Sequence, residues 1–262
     1  MKVHWLKITD STNNDALKNK EKEEDMTVWS AELQTAGRGQ RGNKWKSCSG
    51  ENLTFSILFK PENMDANAQF AISQVSAIGV ADYLRDKGLD AKVKWPNDVY
   101  VGDKKICGML IENILSGDKL AVSVSGIGIN INQREFPSDL PNPTSLVLEM
   151  ERNSGKTGLS FDVKEELPKV LDKIFSLYSQ VRNGLTRDDE VVTGRLNDLY
   201  ESMLYRLGEY HYYEETEYCG EDRIGRIYGK IVGIDNKTAR LRIELEDGRL
   251  REYFFKELKY II

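Results

Sequence analysis

The sequence predicts an α+β fold, in which a mixed β-sheet with helices is followed by a small β-barrel. Over roughly the first 200 residues, strand-like runs alternate with helical stretches, which favours one sheet packed against helices. After Gly208 the helical pattern stops, and five or so short strand-like runs follow in about 55 residues, as is typical of a small barrel. We therefore expect two domains, residues 1–203 and residues 204–262.

The first half of the chain begins with residues that favour helix N-caps. The segment 10–14, Asp-Ser-Thr-Asn-Asn, precedes a helix-prone run at 15–26. Strand-like runs follow at 27–33 and 53–59. Apolar residues at helical spacing then predict a helix over 69–87.

The remaining elements follow from the apolar pattern and from turn residues. Tight turns at 102–103 and 116–118 separate three strand-like runs, so we expect an antiparallel meander there. The proline-containing stretch 133–143 is expected to be a loop. The other predicted elements are strands at 91–95, 98–101, 105–115, 119–131, 227–234, 239–245 and 250–255, and helices at 161–181 and 188–205.

Composition excludes several classes of protein. The content of 30% charged and 40% hydrophobic residues is that of a soluble globular protein, and no apolar run reaches membrane-spanning length. A net charge of −5 argues against a general nucleic-acid binder. Three scattered cysteines, two histidines and the lack of a signal-peptide core predict a cytoplasmic protein without disulfides or structural zinc. A Mg²⁺ ion that arrives with a nucleotide is compatible with this composition.

The segment 34–45, Gln-Thr-Ala-Gly-Arg-Gly-Gln-Arg-Gly-Asn-Lys-Trp, is the most informative part of the sequence. Its three glycines free the backbone, and Arg38, Arg41 and Lys44 lie among them. The loop can therefore present N–H groups and cations to an anion. Its residue order is neither that of a P-loop nor that of a dinucleotide fingerprint. By composition alone, a mobile basic surface loop is an alternative interpretation.

Two further clusters suggest a ligand site. The segment 94–98, Lys-Trp-Pro-Asn-Asp, bends at its proline, although alone it could be an ordinary turn. Across a hairpin Lys105 returns close to this bend, and Gly108 implies a bulge or the close approach of another group. In 124–132, Val-Ser-Gly-Ile-Gly-Ile-Asn-Ile-Asn, one strand face lacks side chains, so either a ligand or a tightly packed helix lies against it. Asn130 ends this strand, where its amide could contact a base or a phosphate.

In this order the motifs resemble those of the biotin–protein ligases, also called biotin–[acetyl-CoA-carboxylase] ligases. The resemblance begins at Ser-Thr-Asn of 11–13 and continues through the clusters above to an SH3-like C-terminal module. It implies the class II synthetase-like fold of the biotin–lipoate ligase superfamily. It also implies a reaction in two steps: biotin and MgATP give biotinyl-5′-AMP and pyrophosphate, and the biotinyl group then passes to a lysine of a biotin carboxyl-carrier domain.

The resemblance also implies roles for individual residues. Lys105 and Arg38 are the expected catalytic residues, since their charges offset the repulsion between the biotin carboxylate and the α-phosphate. No protein ligand for a metal is identified. The expected biotin-binding residues are Ser11, Thr12, Asn13, Gln34, Gly37, Arg38, Gly39, Gln40, Lys105 and Gly108. The expected ATP- and adenylate-binding residues are Arg41, Trp45, Asn97, Lys105 and Asn130.

The sequence departs from the family pattern in the glycine-arginine loop. Gln40 and Asn43 stand where many members have arginine, so the loop carries fewer cations. From Gln40 we hypothesise that the adenylate is held less tightly and is released more readily. Because the resemblance begins within the first dozen residues, it predicts a ligase without a DNA-binding module and with no nucleic-acid or membrane partner. It allows a homodimer paired through a sheet edge. The alternative functions are a lipoate or octanoate ligase of the same superfamily and a non-catalytic relative that binds a small molecule.

Overall fold

The computed structural model describes most of the chain, and its strands form two separate sheets. The described residues are 2–39, 42–183, 190–219, 225–235 and 238–262. The strands within these ranges are β1 (Val3–Thr9), β2 (Thr27–Gln34), β3 (Asn52–Phe59), β4 (Ala91–Lys94), β5 (Asp98–Val101), β6 (Lys104–Ser116), β7 (Lys119–Asn130), β8 (Tyr210–Glu215), β9 (Gly225–Ile234), β10 (Leu241–Leu245), β11 (Leu250–Tyr253) and β12 (Leu258–Tyr260). The α-helices are α1 (Thr12–Asn19), α2 (Phe70–Asp86), α3 (Leu146–Ser154), α4 (Val163–Tyr178) and α5 (Glu190–Ser202).

The large sheet has seven strands in the order β1-β2-β3-β7-β6-β5-β4. The pair β1 and β2 is parallel, and the other neighbours are antiparallel. The predicted α+β class with a mixed sheet is therefore confirmed. The predicted meander is also confirmed, because β5, β6 and β7 pair in sequence through the two expected turns.

The two faces of the large sheet have different partners. One face packs against α2 and α4, and the alternate residues of β3 that point to this side, such as Phe55 and Ile57, belong to the main apolar core. The opposite face contacts α1, where Ala16 packs with Leu58 and Val124 in a smaller apolar cluster. Helices α2 and α4 thus cover one face of the sheet, whereas α1 covers only part of the other face and leaves room there for a cavity.

The contact between α2 and α4 depends on Gly79. A Cβ atom added at this position would lie 2.5 Å from Ile174 Cγ1 and 2.9 Å from the Ile174 backbone, so the two helices would have to separate. We expect Gly79→Ala to lower the free energy of unfolding by about 1–3 kcal/mol, although alanine is the better helix former. Denaturant unfolding measures this change. Gly194→Ala in α5, where the added Cβ meets nothing within 4 Å, is the matched control and should not destabilise the protein.

The small sheet has five antiparallel strands in the order β11-β10-β9-β8-β12. The predicted C-terminal β-structure is therefore confirmed as an antiparallel sheet. Within the described residues, β11 and β12 form its two edges, and the sheet does not close into the expected barrel. No helix in the described part of the chain is long and apolar enough to cross a membrane.

Several element predictions need correction. The helix expected at 15–26 is α1, which begins at Thr12 and ends at Asn19, because the N-cap-rich segment itself enters the helix after Ser11. The edge strand β1 was not predicted, since its residues are mostly half-buried or exposed and carry little apolar signal. Also missing from the prediction were α3, β8 and β12. The start of the helix predicted at 188–205 lies outside the described residues.

Candidate active site

A cavity of about 320 Å³ lies on the α1 side of the large sheet. Its wall combines the start of α1, the loop after β2, the bend between β4 and β5, and the segment 255–260 of the small sheet. Ten of the residues predicted for the site line it, so chemistry that is dispersed in sequence converges here. These ten are Ser11, Thr12, Asn13, Gln34, Arg38, Gly39, Trp45, Asn97, Lys105 and Gly108.

Of the four other predicted residues, two do not line the cavity and two lie outside the described residues. Gln40 and Arg41 lie outside the described residues, so the hypothesis about adenylate release at Gln40 stays a prediction. Gly37 lies beneath the loop, where an added Cβ would come within 2.5 Å of the Trp45 carbonyl oxygen. Asn130 is buried, and its Nδ2 donates a hydrogen bond to the carbonyl oxygen of Thr144 at 2.9 Å. Gly37 and Asn130 therefore shape the site from behind.

The floor of the cavity is a row of small residues across neighbouring strands. Gly128 of β7 is in register with Thr54 on one side and with Gly108 on the other. A Cβ atom at Gly128 would lie 2.2 Å from Trp45 Cε2, and one at Gly108 would lie 3.1 Å from Trp45 Cζ3 and from Lys105 Nζ. The bare strand face thus accommodates the indole of Trp45 and the amine of Lys105.

Helix α1 closes one end of the cavity through a buried polar network. Gln34 Oε1 accepts hydrogen bonds from Thr12 N at 2.8 Å and Thr12 Oγ1 at 3.1 Å, and Thr12 Oγ1 lies 2.7 Å from Ser56 Oγ. Ser56 Oγ donates to Asn13 Oδ1 at 2.6 Å. An added Cβ at Gly126 would lie 2.0 Å from that same Oδ1. Of the two explanations for the glycines of β7, tight packing of a helix accounts for Gly126.

Glu112 holds the loop onto the sheet, and sequence analysis did not identify it. Its carboxylate accepts hydrogen bonds from both terminal nitrogens of Arg38, at 3.0 and 2.7 Å, and from Asn13 Nδ2 at 2.7 Å. A bidentate arginine–carboxylate pair fixes the guanidinium plane as well as its position. Arg38 and Asn13, which were predicted from separate motifs, are therefore tied together by one acidic side chain.

Lys105 stands at the other side of the cavity beside Asp98. Its Nζ donates to Asp98 Oδ2 at 2.7 Å, and its backbone is fixed by hydrogen bonds with the loop 142–144. Asn97, in the same bend as Asp98, is buried and donates from Nδ2 to the carbonyl oxygen of Met109 at 2.7 Å. The hairpin thus brings Lys105 to the bend, as the sequence predicted.

The small sheet supplies one wall of the cavity, which the motifs gave no reason to expect. Trp95 Nε1 donates to the carbonyl oxygen of Ala239 at 3.2 Å, and its ring meets the Phe255 ring edge-on, with 6.3 Å between centroids. Next to it, the Lys94 ammonium lies 4.9 Å from the centroid of the Tyr260 ring. Burial lowers the pKa of Lys94 to about 8, with the opposing effect of Asp98 smaller than the desolvation.

The charge of the cavity is opposite to that of the chain. Its described lining contains six cationic side chains and a single carboxylate, Asp98, whereas the net charge of the protein is −5. The six are Arg38, Lys44, Lys94, Lys105, Lys256 and Lys259. Among the described residues, no group of three or more His, Cys, Asp or Glu could hold a metal ion. The arrangement is therefore suited to a ligand with several negative charges.

Comparison with known proteins identifies the family. The model of the "Biotin/lipoate A/B protein ligase family" matches residues 5–130. The bifunctional ligase/repressor BirA of Escherichia coli (strain K12) is 37% identical over 202 residues, which are 73% of this chain and 63% of that protein. The biotin protein ligase of Aquifex aeolicus, solved in complex with biotin and ATP, is 33% identical with a TM-score of 0.72, and the match covers 99% of both chains. The chain belongs to the biotin/lipoate A/B protein ligase family.

Other members show how far this similarity extends. The chain spans 63% of the length of the BirA proteins of E. coli and Salmonella typhimurium. The biotin–[acetyl-CoA-carboxylase] ligase of Paracoccus denitrificans is 34% identical over 129 residues, or 48% of this chain. Because the match to the Aquifex ligase includes the small sheet, the two-sheet arrangement is shared with that family member.

Proposed function

We propose that this family member activates biotin with ATP to biotinyl-5′-AMP and transfers the biotinyl group to a lysine of a biotin carboxyl-carrier domain. The observation that carries the proposal is the cavity, where six cations and one carboxylate face one space in an acidic chain. The carboxylate of biotin and the nucleoside triphosphate ATP are the anions that such a reaction brings together. The biotin and ATP complex of the Aquifex ligase, which is similar over its whole length, supports the same assignment.

Biotin is assigned to the end of the cavity formed by α1. There Ser11, Thr12, Asn13 and Gln34 offer hydroxyl and amide groups, as a polar uncharged ring requires. ATP is assigned to the side of Trp45, whose buried Nε1 has no hydrogen-bond partner among the described residues. A buried donor without a partner costs roughly 1–3 kcal/mol, so a ligand that accepts its hydrogen bond is favoured.

The cations then explain the chemistry of the first step. At about 4 Å and an effective dielectric constant of about 20, two unit anions repel each other by roughly 4 kcal/mol. Arg38 and Lys105, fixed by Glu112 and Asp98, offset this repulsion without having to reorganise during the reaction. Mg²⁺ bound to the nucleotide would supply further charge neutralisation, held by the phosphates and with Asp98 as the nearby carboxylate.

The proposal includes the organisation of the chain. We assign residues 1–203 to the adenylating domain and residues 204–262 to an SH3-like domain that completes its cavity. The carrier domain is the proposed protein partner and the cytoplasm the proposed location. The second step needs the carrier lysine as a free amine, which attacks the acyl carbon of the mixed anhydride and releases AMP.

Pyrophosphate release from ATP tests the proposal directly. Release should require biotin, and steady turnover should require a biotin carboxyl-carrier domain as acceptor. Lipoate and octanoate, offered in place of biotin at the same concentration, are the controls for the alternative substrate. Activation by lipoate or octanoate but not biotin would reassign the substrate within the family, and activation by none of the three acids would show a binding protein rather than a ligase.

A further inference from the structure

Lys94 is a cavity-lining cation for which the motifs supplied no role. It ends β4 and lines the cavity close to Asp98 and Lys105. Its Nζ donates a hydrogen bond to Tyr100 Oη at 3.2 Å and lies 4.9 Å from the centroids of both the Tyr100 and the Tyr260 rings. One ammonium is thus held between two aromatic faces, which come from different sheets.

The surroundings of this ammonium leave its charge uncompensated. The nearby carboxylate, Asp98, forms its ion pair with Lys105, and Lys94 forms none with the described residues. Contact with aromatic faces is worth only about 0.5–2 kcal/mol, which does not replace a counter-ion. The half-buried ammonium of Lys94 at the wall of the cavity can therefore form an ion pair with an anion bound there.

We propose that Lys94 binds the phosphate groups of the nucleotide, and that Tyr260 of the small sheet is a positioning residue that holds its ammonium toward the cavity. The nucleotide as the source of the anion rests on the proposed function. The assignment gives Tyr260 of the small sheet a defined part in the reaction: the face of its ring holds the Lys94 ammonium, and it does not touch the reacting atoms.

A characteristic pH dependence follows from the assignment. Charged and titratable groups face Lys94 from each neighbouring element: Asp98 favours its charged form, Lys105 and Arg206 disfavour it, and the rings of Tyr100 and Tyr260 cover it. Burial raises the pKa of both tyrosines, so they stay neutral in this range. Because the pKa of Lys94 is about 8, kcat/KM for MgATP should fall as the pH rises through about 8.

The test compares two substitutions at Lys94 by steady-state pyrophosphate release between about pH 6.5 and 9.5, a range that brackets the alkaline limb. Loss of a hydrogen bond to a charged group predicts that Lys94→Gln raises KM for MgATP about 10- to 100-fold at pH 7, with KM for biotin changed less than about 2-fold. Lys94→Arg should retain affinity and move the alkaline limb to higher pH. Lys92→Gln, on the same strand but outside the cavity lining, is the matched control.

Substitutions at Tyr260 test the positioning part. Tyr260 Oη has no hydrogen-bond partner among the described residues, so Tyr260→Phe keeps the ring and should match the wild type. Tyr260→Leu removes the aromatic face and should raise KM for MgATP about 2- to 10-fold with kcat unchanged. Equal KM values for Tyr260→Leu and Tyr260→Phe would overturn the positioning role.

Two outcomes would overturn the phosphate assignment. One is an unchanged KM and an unchanged alkaline limb in Lys94→Gln; the other is an equal loss in Lys94→Gln and Lys94→Arg at every pH, which indicates a structural role. If the wild type releases no pyrophosphate with biotin, the proposed function fails separately. In that case, calorimetry measures the affinity of the wild type, Lys94→Arg and Lys94→Gln for MgATP. Equal affinities of the three proteins would exclude a role of Lys94 in phosphate binding.

Discussion

Replacing Lys105 with alanine is expected to lower the rate of biotin-dependent pyrophosphate release about 10²- to 10³-fold, which is the usual loss when one preorganised charge is removed from the site of a developing anion. The substitution also leaves Asp98, its partner at 2.7 Å, with its negative charge facing the incoming anions. Both effects act in the same direction. The rate with saturating MgATP and biotin is the measurement, because binding losses are then compensated by concentration.

Lys104 offers a matched control for this experiment. It precedes Lys105 at the start of β6 but does not line the cavity. Lys104→Ala should therefore retain activity within about 2-fold of the wild type, because surface substitutions away from special features have small effects. A Lys105→Ala enzyme that keeps more than about a tenth of the wild-type rate would contradict the role given to Lys105.

Gly126→Ala is expected to weaken biotin binding through a steric clash with Asn13, which also lines the cavity. The new Cβ would lie 2.0 Å from Asn13 Oδ1, so the amide must leave its place. It would lose the hydrogen bonds with Ser56 at 2.6 Å and Glu112 at 2.7 Å. Since each such bond contributes about 1 kcal/mol, biotin affinity should fall about 10- to 100-fold, and stability by about 1–3 kcal/mol. Calorimetry and denaturant unfolding measure the two losses.

A double substitution separates the clash from the loss of the amide. Asn13→Ala removes the side chain that the new Cβ would meet, so Gly126→Ala should destabilise this variant much less than the wild type. Biotin should bind weakly to the Asn13→Ala variant and to the double variant, since both lack the Asn13 amide. If Gly126→Ala lowers stability equally in the two backgrounds, the glycine is required for some reason other than the approach of Asn13.

The sequence was most informative where local chemistry is unusual. The glycine-arginine loop and the motifs around Asn97 and Lys105 carry residue types that ordinary packing does not require, and the structure places them around one cavity. The long apolar patterns of α2 and β7 also predicted their elements, because burial on the sheet demands periodicity. By contrast, β1 is an edge strand whose pattern is set by a single neighbour, and its signal is correspondingly weak.

The residues that sequence analysis missed act through pairing over long separations in the chain. Glu112 is an ordinary acidic residue at the polar end of a strand, until Arg38 is known to reach it from 74 positions away. Likewise, no motif connects Lys94 with Tyr260, although their contact joins the two sheets. In β3, Asn52, Thr54 and Ser56 alternate with apolar residues. This alternation was a usable signal, since polar residues inside a fully buried strand imply a polar layer on one face.

Because the two sheets share a wall of the cavity, a ligand bound in the cavity should also slow the separation of the small sheet from the large one. Trp95 meets Ala239 and Phe255 across this wall, so separation of the sheets opens the cavity. A ligand present at 100 times its Kd adds about 2.7 kcal/mol to any opening reaction that must release it. Amide exchange in β12, far along the chain from the motifs, should then slow by about 100-fold on saturation, and proteolysis in the chain segment before β8 should slow with it.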